Sequence, residues 1–119
     1  MTPTPTELHL HQKTRQLDVV FDDGQHFGLS CEYLRVYSPS AEVRGHGAGT
    51  GKLQTGKRYV NILAIEPVGQ YAVKLIFDDG HSSGIYTWDW LYELGLNQKT
   101  HWEDYLNRLK EAGASRDPA

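Results

Sequence analysis

Two stretches of the chain, 56 residues apart, carry the same pattern, and no other feature limits the fold as much. Leu17, Val19, Phe21, Asp22, Asp23, Gly24, Gly28 and Leu29 correspond to Val73, Leu75, Phe77, Asp78, Asp79, Gly80, Gly84 and Ile85. Each copy reads as an alternating strand, an Asp-Asp-Gly turn and a returning strand. Asp-Gly accepts the positive φ of a tight hairpin turn at little cost. A helical start rich in aromatics follows each hairpin. Two copies are too few for a solenoid, which needs at least three. The simplest account is two similar hairpins in one α+β domain, with antiparallel β-hairpins forming a small sheet packed against C-terminal helices.

The remaining segments fit around those hairpins. A disordered tail is expected over 1–5, a single domain over 6–112 and a second disordered tail over 113–119. Strands are predicted at 6–11, 16–21, 26–30, 59–65, 71–77 and 82–86, with a turn at 66–69. One or two helical turns are predicted over 31–37. Thr87 is placed to cap a helix that begins at Trp88 and stops at Gly95. A second helix starts at Asn97 or Thr100, with Trp102, Tyr105, Leu106 and Leu109 at helical spacing. Residues 38–58 are rich in glycine and poor in apolar groups, so a long mobile loop is expected; loops of that length are functional or disordered.

Composition narrows the function classes. The 119 residues carry a net charge of −3, which argues against a nucleic-acid surface over most of the protein. No apolar run approaches the length of a transmembrane helix. The start, MTPTPTELHLH, lacks the basic and apolar regions of a signal peptide, so a cytoplasmic location is expected. One cysteine, Cys31, excludes an internal disulfide framework and any multi-thiolate site within one chain.

No residue set completes a catalytic motif. Gly51 to Lys57 matches G-x-x-x-x-G-K, but Arg58 stands where a phosphate loop needs Ser or Thr, and a strand follows where a helix is required. Of the six histidines, His9 and His11 share one strand face, which permits a two-histidine metal site on the solvent side. Ser38, Ser40, Ser82 and Ser83 lack a nucleophile elbow. Asp22, Asp23, Asp78 and Asp79 have a sufficient role in their turns. Trp88 and Trp90 stand about 200° apart on a helix, so one of them, or the flanking Tyr92, is left partly exposed to meet a partner.

Tyr33-Leu-Arg-Val-Tyr-Ser-Pro-Ser-Ala-Glu-Val-Arg-Gly-His46 and Phe77-Asp-Asp-Gly-His-Ser-Ser-Gly-Ile-Tyr-Thr-Trp-Asp-Trp-Leu91 together carry a family resemblance. The chain resembles the family named for the N-terminal domain of γ-butyrobetaine hydroxylase, over about residues 6–95, and is similar to its small stand-alone bacterial members. In the hydroxylases that domain precedes a 2-oxoglutarate-dependent oxygenase domain, for which these residues leave no room, so the resemblance does not imply hydroxylase activity here. It also implies a zinc site of three cysteines and a histidine. Those positions fall on Ser38, Ser40, Val43 and His81, and only His81 is a good ligand. Other relatives are fused to ATPases of the iron–sulfur-carrier type, which points toward metal-cluster handling.

The expected function is a non-catalytic accessory or protein-interaction domain with no cofactor and no enzyme activity. Its partner would be another protein, with neither nucleic acid nor membrane involved, and the chain itself a monomer or weak dimer. Its surface would comprise Arg35, Ser38, Ser40, Glu42, Arg44, His46, His81 and Trp88, with Arg35, Arg44 and His46 receiving an anion or a carboxylate. Arg35 pairing with Glu42 or Glu32 is the simpler alternative use of that charge. The alternative function is a metal-binding or iron–sulfur-cluster-handling module that takes zinc or iron at His81.

Overall fold

The computed structural model describes residues 2–44 and 52–119. Along the chain run β1 (Pro5–His11), β2 (Gln16–Phe21), β3 (His26–Ser30), α1 (Cys31–Val36), α2 (Ala41–Arg44), β4 (Ile62–Val68), β5 (Ala72–Phe77), β6 (Ile85–Thr87), α3 (Trp88–Leu96) and α4 (Gln98–Ala112). The strands make two antiparallel three-stranded sheets, β1-β2-β3 and β4-β5-β6. The chain is therefore α+β, with hairpins covered by C-terminal helices, and the one small sheet of the sequence reading is divided in two.

The central strand of the first sheet alternates between half-buried and buried residues throughout, and that of the second does so from Val73 to Phe77. Leu17, Val19, Phe21 and Leu29 of the first sheet meet Ile62, Val73, Leu75, Phe77 and Tyr86 of the second in one core, closed by Tyr33, Leu34, Leu91 and Leu94 of the helices. The two Asp-Asp-Gly turns fold alike. Gly24 and Gly80 both stand at φ 89°, where a side chain would be strained. Asp23 and Asp79 each accept the N–H two residues on, from Gln25 at 3.0 Å and His81 at 3.1 Å.

The halves also exchange contacts reciprocally. Tyr33 Oη of α1 donates to the Leu94 carbonyl at 2.7 Å, and Trp90 Nε1 of α3 donates to the Tyr37 carbonyl at 3.0 Å. Arg35 of α1 reaches Asp79 in the second turn, while Tyr92 of α3 reaches Asp23 in the first. Gly95 lies against the Phe27 ring, and Gly84 lies against Ser38, each so closely that a Cβ would clash. Such exchanged contacts are the mark of an approximate two-fold axis, here joining two ββ-hairpin-plus-helix units of one chain. Each helix thereby holds the turn of the other half.

Several boundaries differ from the sequence reading, among them the strand predicted at 82–86, which is confined to Ile85–Thr87. The strand predicted at 59–65 runs instead over Ile62–Val68 and includes Pro67, at the site of the expected turn. It is an edge strand, and an edge tolerates a residue that cannot donate to a ladder. Gly95 lies inside α3, where Phe27 demands a residue without a side chain, and Asn97 ends the helix. Within the expected 38–58 loop, Ala41–Arg44 forms a helical turn and 52–58 is placed; residues 45–51 lie outside the described residues. After Gly113, where the sequence predicts a frayed tail, Gly56 N–H donates to the Ser115 carbonyl and Arg58 N–H to the Arg116 carbonyl, both at 3.0 Å. An ion pair to Glu32 holds that stretch in place.

Candidate functional site

The His81 turn is pinned before its side chain is considered. Its N–H is taken by Asp79, and its carbonyl accepts the Phe77 N–H at 3.0 Å, closing the hairpin. The imidazole then projects toward the segment that leaves α1. There Ser38 Oγ lies 2.8 Å and Ser40 Oγ 3.4 Å from Nε2, while Glu42 Oε2 lies 3.5 Å from Nδ1. Ser38 Oγ also accepts the Ser40 N–H at 3.3 Å, so the Ser-Pro-Ser bend is tied to the ring it faces. Gly84 makes the closeness achievable, because a Cβ at that position would clash with Ser38 Oγ.

Charge collects on the neighbouring Asp79. Arg35 Nε reaches Asp79 Oδ2 at 2.8 Å and Lys57 Nζ reaches the same oxygen at 2.6 Å. Arg35 Nη1 donates to Gln54 Oε1 at 3.0 Å. Burial would raise the Asp79 carboxyl, but the bonds from Lys57, the His81 N–H and Arg35 outweigh it and hold the pKa below the usual value. For His81, burial and then Arg35 favour the neutral ring; Glu42 and Asp79 oppose them, and the net shift is downward. A neutral ring that accepts the Ser38 hydroxyl proton at Nε2 and offers Nδ1–H to Glu42 satisfies both contacts.

That depression fixes the sign of a pH dependence. Below about pH 6.5 the unfolded imidazole takes a proton that the folded one resists. The stability His81 contributes is complete above that pH and is lost as pH falls toward the folded value. Urea midpoints at about pH 7.5 and 5.5 check this: the wild type is expected to lose more stability on acidification than His81→Gln. Equal losses would place the imidazole in contact with solvent.

The resemblance placed three cysteine positions on Ser38, Ser40 and Val43 around His81, and the structure does bring both serines onto the imidazole. The donors present do not fit zinc or iron. Two hydroxyls occupy the ligating nitrogen, Val43 offers no donor, and a structural site needs four N, S or carboxylate ligands. Cys31 is fully buried beside Asn61, and burial chiefly pushes its thiol up to about 11, so the thiolate a metal needs is disfavoured. Among the described residues no three of His, Cys, Asp and Glu stand in the geometry of a metal centre. Serine, histidine and carboxylate in this order resemble a hydrolase relay. Ser38, however, is only 1% exposed and its oxygen already receives a backbone N–H.

The expected interaction surface is redistributed. Arg35, Ser38, Ser40 and His81 are buried and form the floor of the site. Above them opens a polar cleft of about 290 Å³, whose lining includes Glu42, Lys52, Gln54 and Lys57. Arg35 pairs with Asp79, whereas Glu42 faces His81 and Glu32 takes Arg116. Trp88 lies outside this cleft, in a hollow with Tyr71 and Asp89. The Arg44 side chain and His46 lie outside the described residues. Sequence reading missed Lys57, which stood in a failed phosphate-loop motif, and gave Asp79 a turn role only. The recurrence of Asp-Asp-Gly, with histidine directly after the glycine in the second copy and Gln25 there in the first, was the available signal.

A family model described as gamma-butyrobetaine hydroxylase-like, N-terminal, matches residues 8–92. No curated protein matches the chain. Two proteins solved in solution by NMR are similar along nearly the whole length. One is 47% identical with a TM-score of 0.86, covering 100% of this chain and 94% of that one. The other is 61% identical with a TM-score of 0.85, covering 98% and 87%. A crystal structure of a protein of unknown function in the DUF971 family, from Acidithiobacillus ferrooxidans, is 37% identical with a TM-score of 0.66, covering 77% and 92%.

Proposed function

The chain belongs to the γ-butyrobetaine hydroxylase-like N-terminal family, and from that premise we propose that it is a non-catalytic accessory domain that docks an acidic segment of a cytoplasmic protein partner. It works without a resident cofactor. One observation carries the reading: among the described residues, the cleft over His81 gathers Arg35, Lys52 and Lys57 against Glu42 and Asp79. That is a local excess of one positive charge on a chain whose net charge is −3. Asp79 preorganises Arg35 and Lys57 by holding both on one oxygen, so little side-chain freedom remains to be lost on binding. A carboxylate is the natural guest for such a cluster.

The test is a pulldown from native lysate with the wild type and a Lys52→Glu/Lys57→Glu variant, at low and at physiological salt. Lys52 is exposed, and neither lysine belongs to the core, so the fold is expected to survive. A partner held by the wild type, released by salt and lost by the variant supports the surface. Identical partner sets for the two proteins would remove it.

A further inference from the structure

The outer face of the first sheet carries a second cluster, remote in function from the His81 cleft. His11 Nε2 lies 3.0 Å and His26 Nε2 4.0 Å from the same oxygen, Asp18 Oδ2. His9 is the direct cross-strand partner of Asp18, on the same face. We infer that this face is a binding site for a zinc-type divalent transition-metal ion, held by His11, His26 and Asp18, with His9 available as a fourth ligand.

The strands dictate the convergence. His9 and His11 are two residues apart on β1, so both point outward. The β1–β2 register sets His9 across from Asp18, and the β2–β3 register sets Asp18 across from Gly28 and Val20 across from His26. Asp18 on the central strand is therefore flanked by imidazoles from both neighbours. Two imidazoles and a carboxylate make a donor set for zinc, nickel or copper rather than for magnesium or calcium. With metal–ligand bonds of about 2.0–2.2 Å, tetrahedral ligands stand roughly 3.3 Å from one another. Separations of 3.0 and 4.0 Å bracket that value.

The carboxylate is prepared for the role. Gln16 Nε2 donates to Asp18 Oδ1 at 2.8 Å and leaves Oδ2 to the histidines. Fixing the second oxygen of a ligating carboxylate is what outer-shell partners do in metal sites. Gly28 makes room for it, since a Cβ there would stand 2.7 Å from Gln16 Nε2 and 3.3 Å from Asp18 Oδ1. As placed, the three donors do not yet close round an ion. The side chain of His26 is 60% exposed, which leaves it room to turn toward Asp18 and an ion. His9 lies 3.7 Å from Glu7 and is as free to turn.

The experiment is a titration of the intact, isotope-labelled protein with zinc chloride at about pH 7.5, because a metal takes the deprotonated ligand. Amide shifts are followed for the wild type, His26→Ala, His11→Ala/His26→Ala and Asp18→Asn. The expected result is one saturable zinc per chain, with shifts confined to residues 9–11, 16–18 and 26–28. Affinity should fall at least about tenfold in His26→Ala and in Asp18→Asn, and saturable binding should vanish in the double variant. No saturable shift, shifts centred on His46, His81 or His101, or an affinity unchanged in the double variant would each overturn the inference. All substituted groups lie on a solvent face, so loss of binding with an unchanged spectrum elsewhere is not loss of fold.

Discussion

Arg116→Ala is expected to melt roughly 10 °C or more below the wild type, a large effect for a residue three positions before the end of the 119-residue sequence. Arg116 Nε donates to Glu32 Oε2 at 2.8 Å and Nη2 to Oε1 at 2.6 Å, a two-pronged pair. Glu32 is 5% exposed, in the second residue of α1. The guanidinium also stacks 5.0 Å over the Trp102 ring, and its pKa is raised, chiefly by the bond to Glu32. Removing one member of a buried ion pair costs about 3–5 kcal/mol, because the surviving charge stays desolvated and alone. The Arg116 side chain is 28% exposed, so the lower end applies. The Glu32→Gln/Arg116→Ala double variant should recover part of the loss, since it leaves no lone buried charge. A single variant within about 0.5 kcal/mol of wild type in urea denaturation would show that the tail does not clamp α1.

The clamp was hidden from the sequence for a physical reason. Gly113 ends α4 in the left-handed conformation, with Ala114 N–H returned to the Leu109 carbonyl. A glycine in that conformation is a common way for a helix to end. Beyond it, a small polar stretch is compatible both with fraying and with docking. Only the partner decides, and Glu32 lies 84 residues away. The hairpins and the helix after the second one were legible because their determinants are local: alternation, the Asp-Gly turn, and Thr87 as a helix cap accepting from Trp90. Pro67 misled for the opposite reason. Its turn preference is local, but whether a strand is an edge is a tertiary fact.

The offset of 56 residues was readable as repeated turn chemistry, and the reciprocal packing was not. Arg35 and Tyr92 stand at matching places on α1 and α3, and each bonds the aspartate of the opposite turn. Unlike side chains in equivalent places give unlike sites. In the first half Tyr92 Oη meets Asp23 Oδ2 at 2.5 Å beside Gln25; in the second, Arg35 meets Asp79 beside His81. The candidate site is thus the one of two related corners that acquired cations and an imidazole. The resemblance pointed to Ser38, Ser40 and His81 together, and the structure brings the two hydroxyls onto the imidazole, but sequence could not show that four of the expected surface residues form a buried floor.

The second large effect concerns that floor. Ser38→Cys/Ser40→Cys/Val43→Cys is expected to bind zinc one to one, and to hold it against chelators that strip the wild type. Ser38 and Ser40 already bring their Oγ atoms within 3.4 Å of His81 Nε2, and Val43 lines the same cleft. Exchanging two hydroxyls and an isopropyl group for thiols converts a hydrogen-bonded cluster into three thiolates and one imidazole, a donor set that closes a tetrahedral site. Binding energy on the scale of about 10 kcal/mol is available to such a site at neutral pH, and because the unfolded chain lacks the geometry, much of it appears as folding stability. Melting should then rise with zinc far more in the triple variant than in Ser38→Cys alone, where the sheet-face histidines are the remaining site. His11→Ala/His26→Ala in the same background removes the sheet-face histidines from the measurement. Failure of the triple variant to take up zinc would mean that position 43 does not converge with the other three, and the correspondence between this pocket and the family's metal site would fall with it.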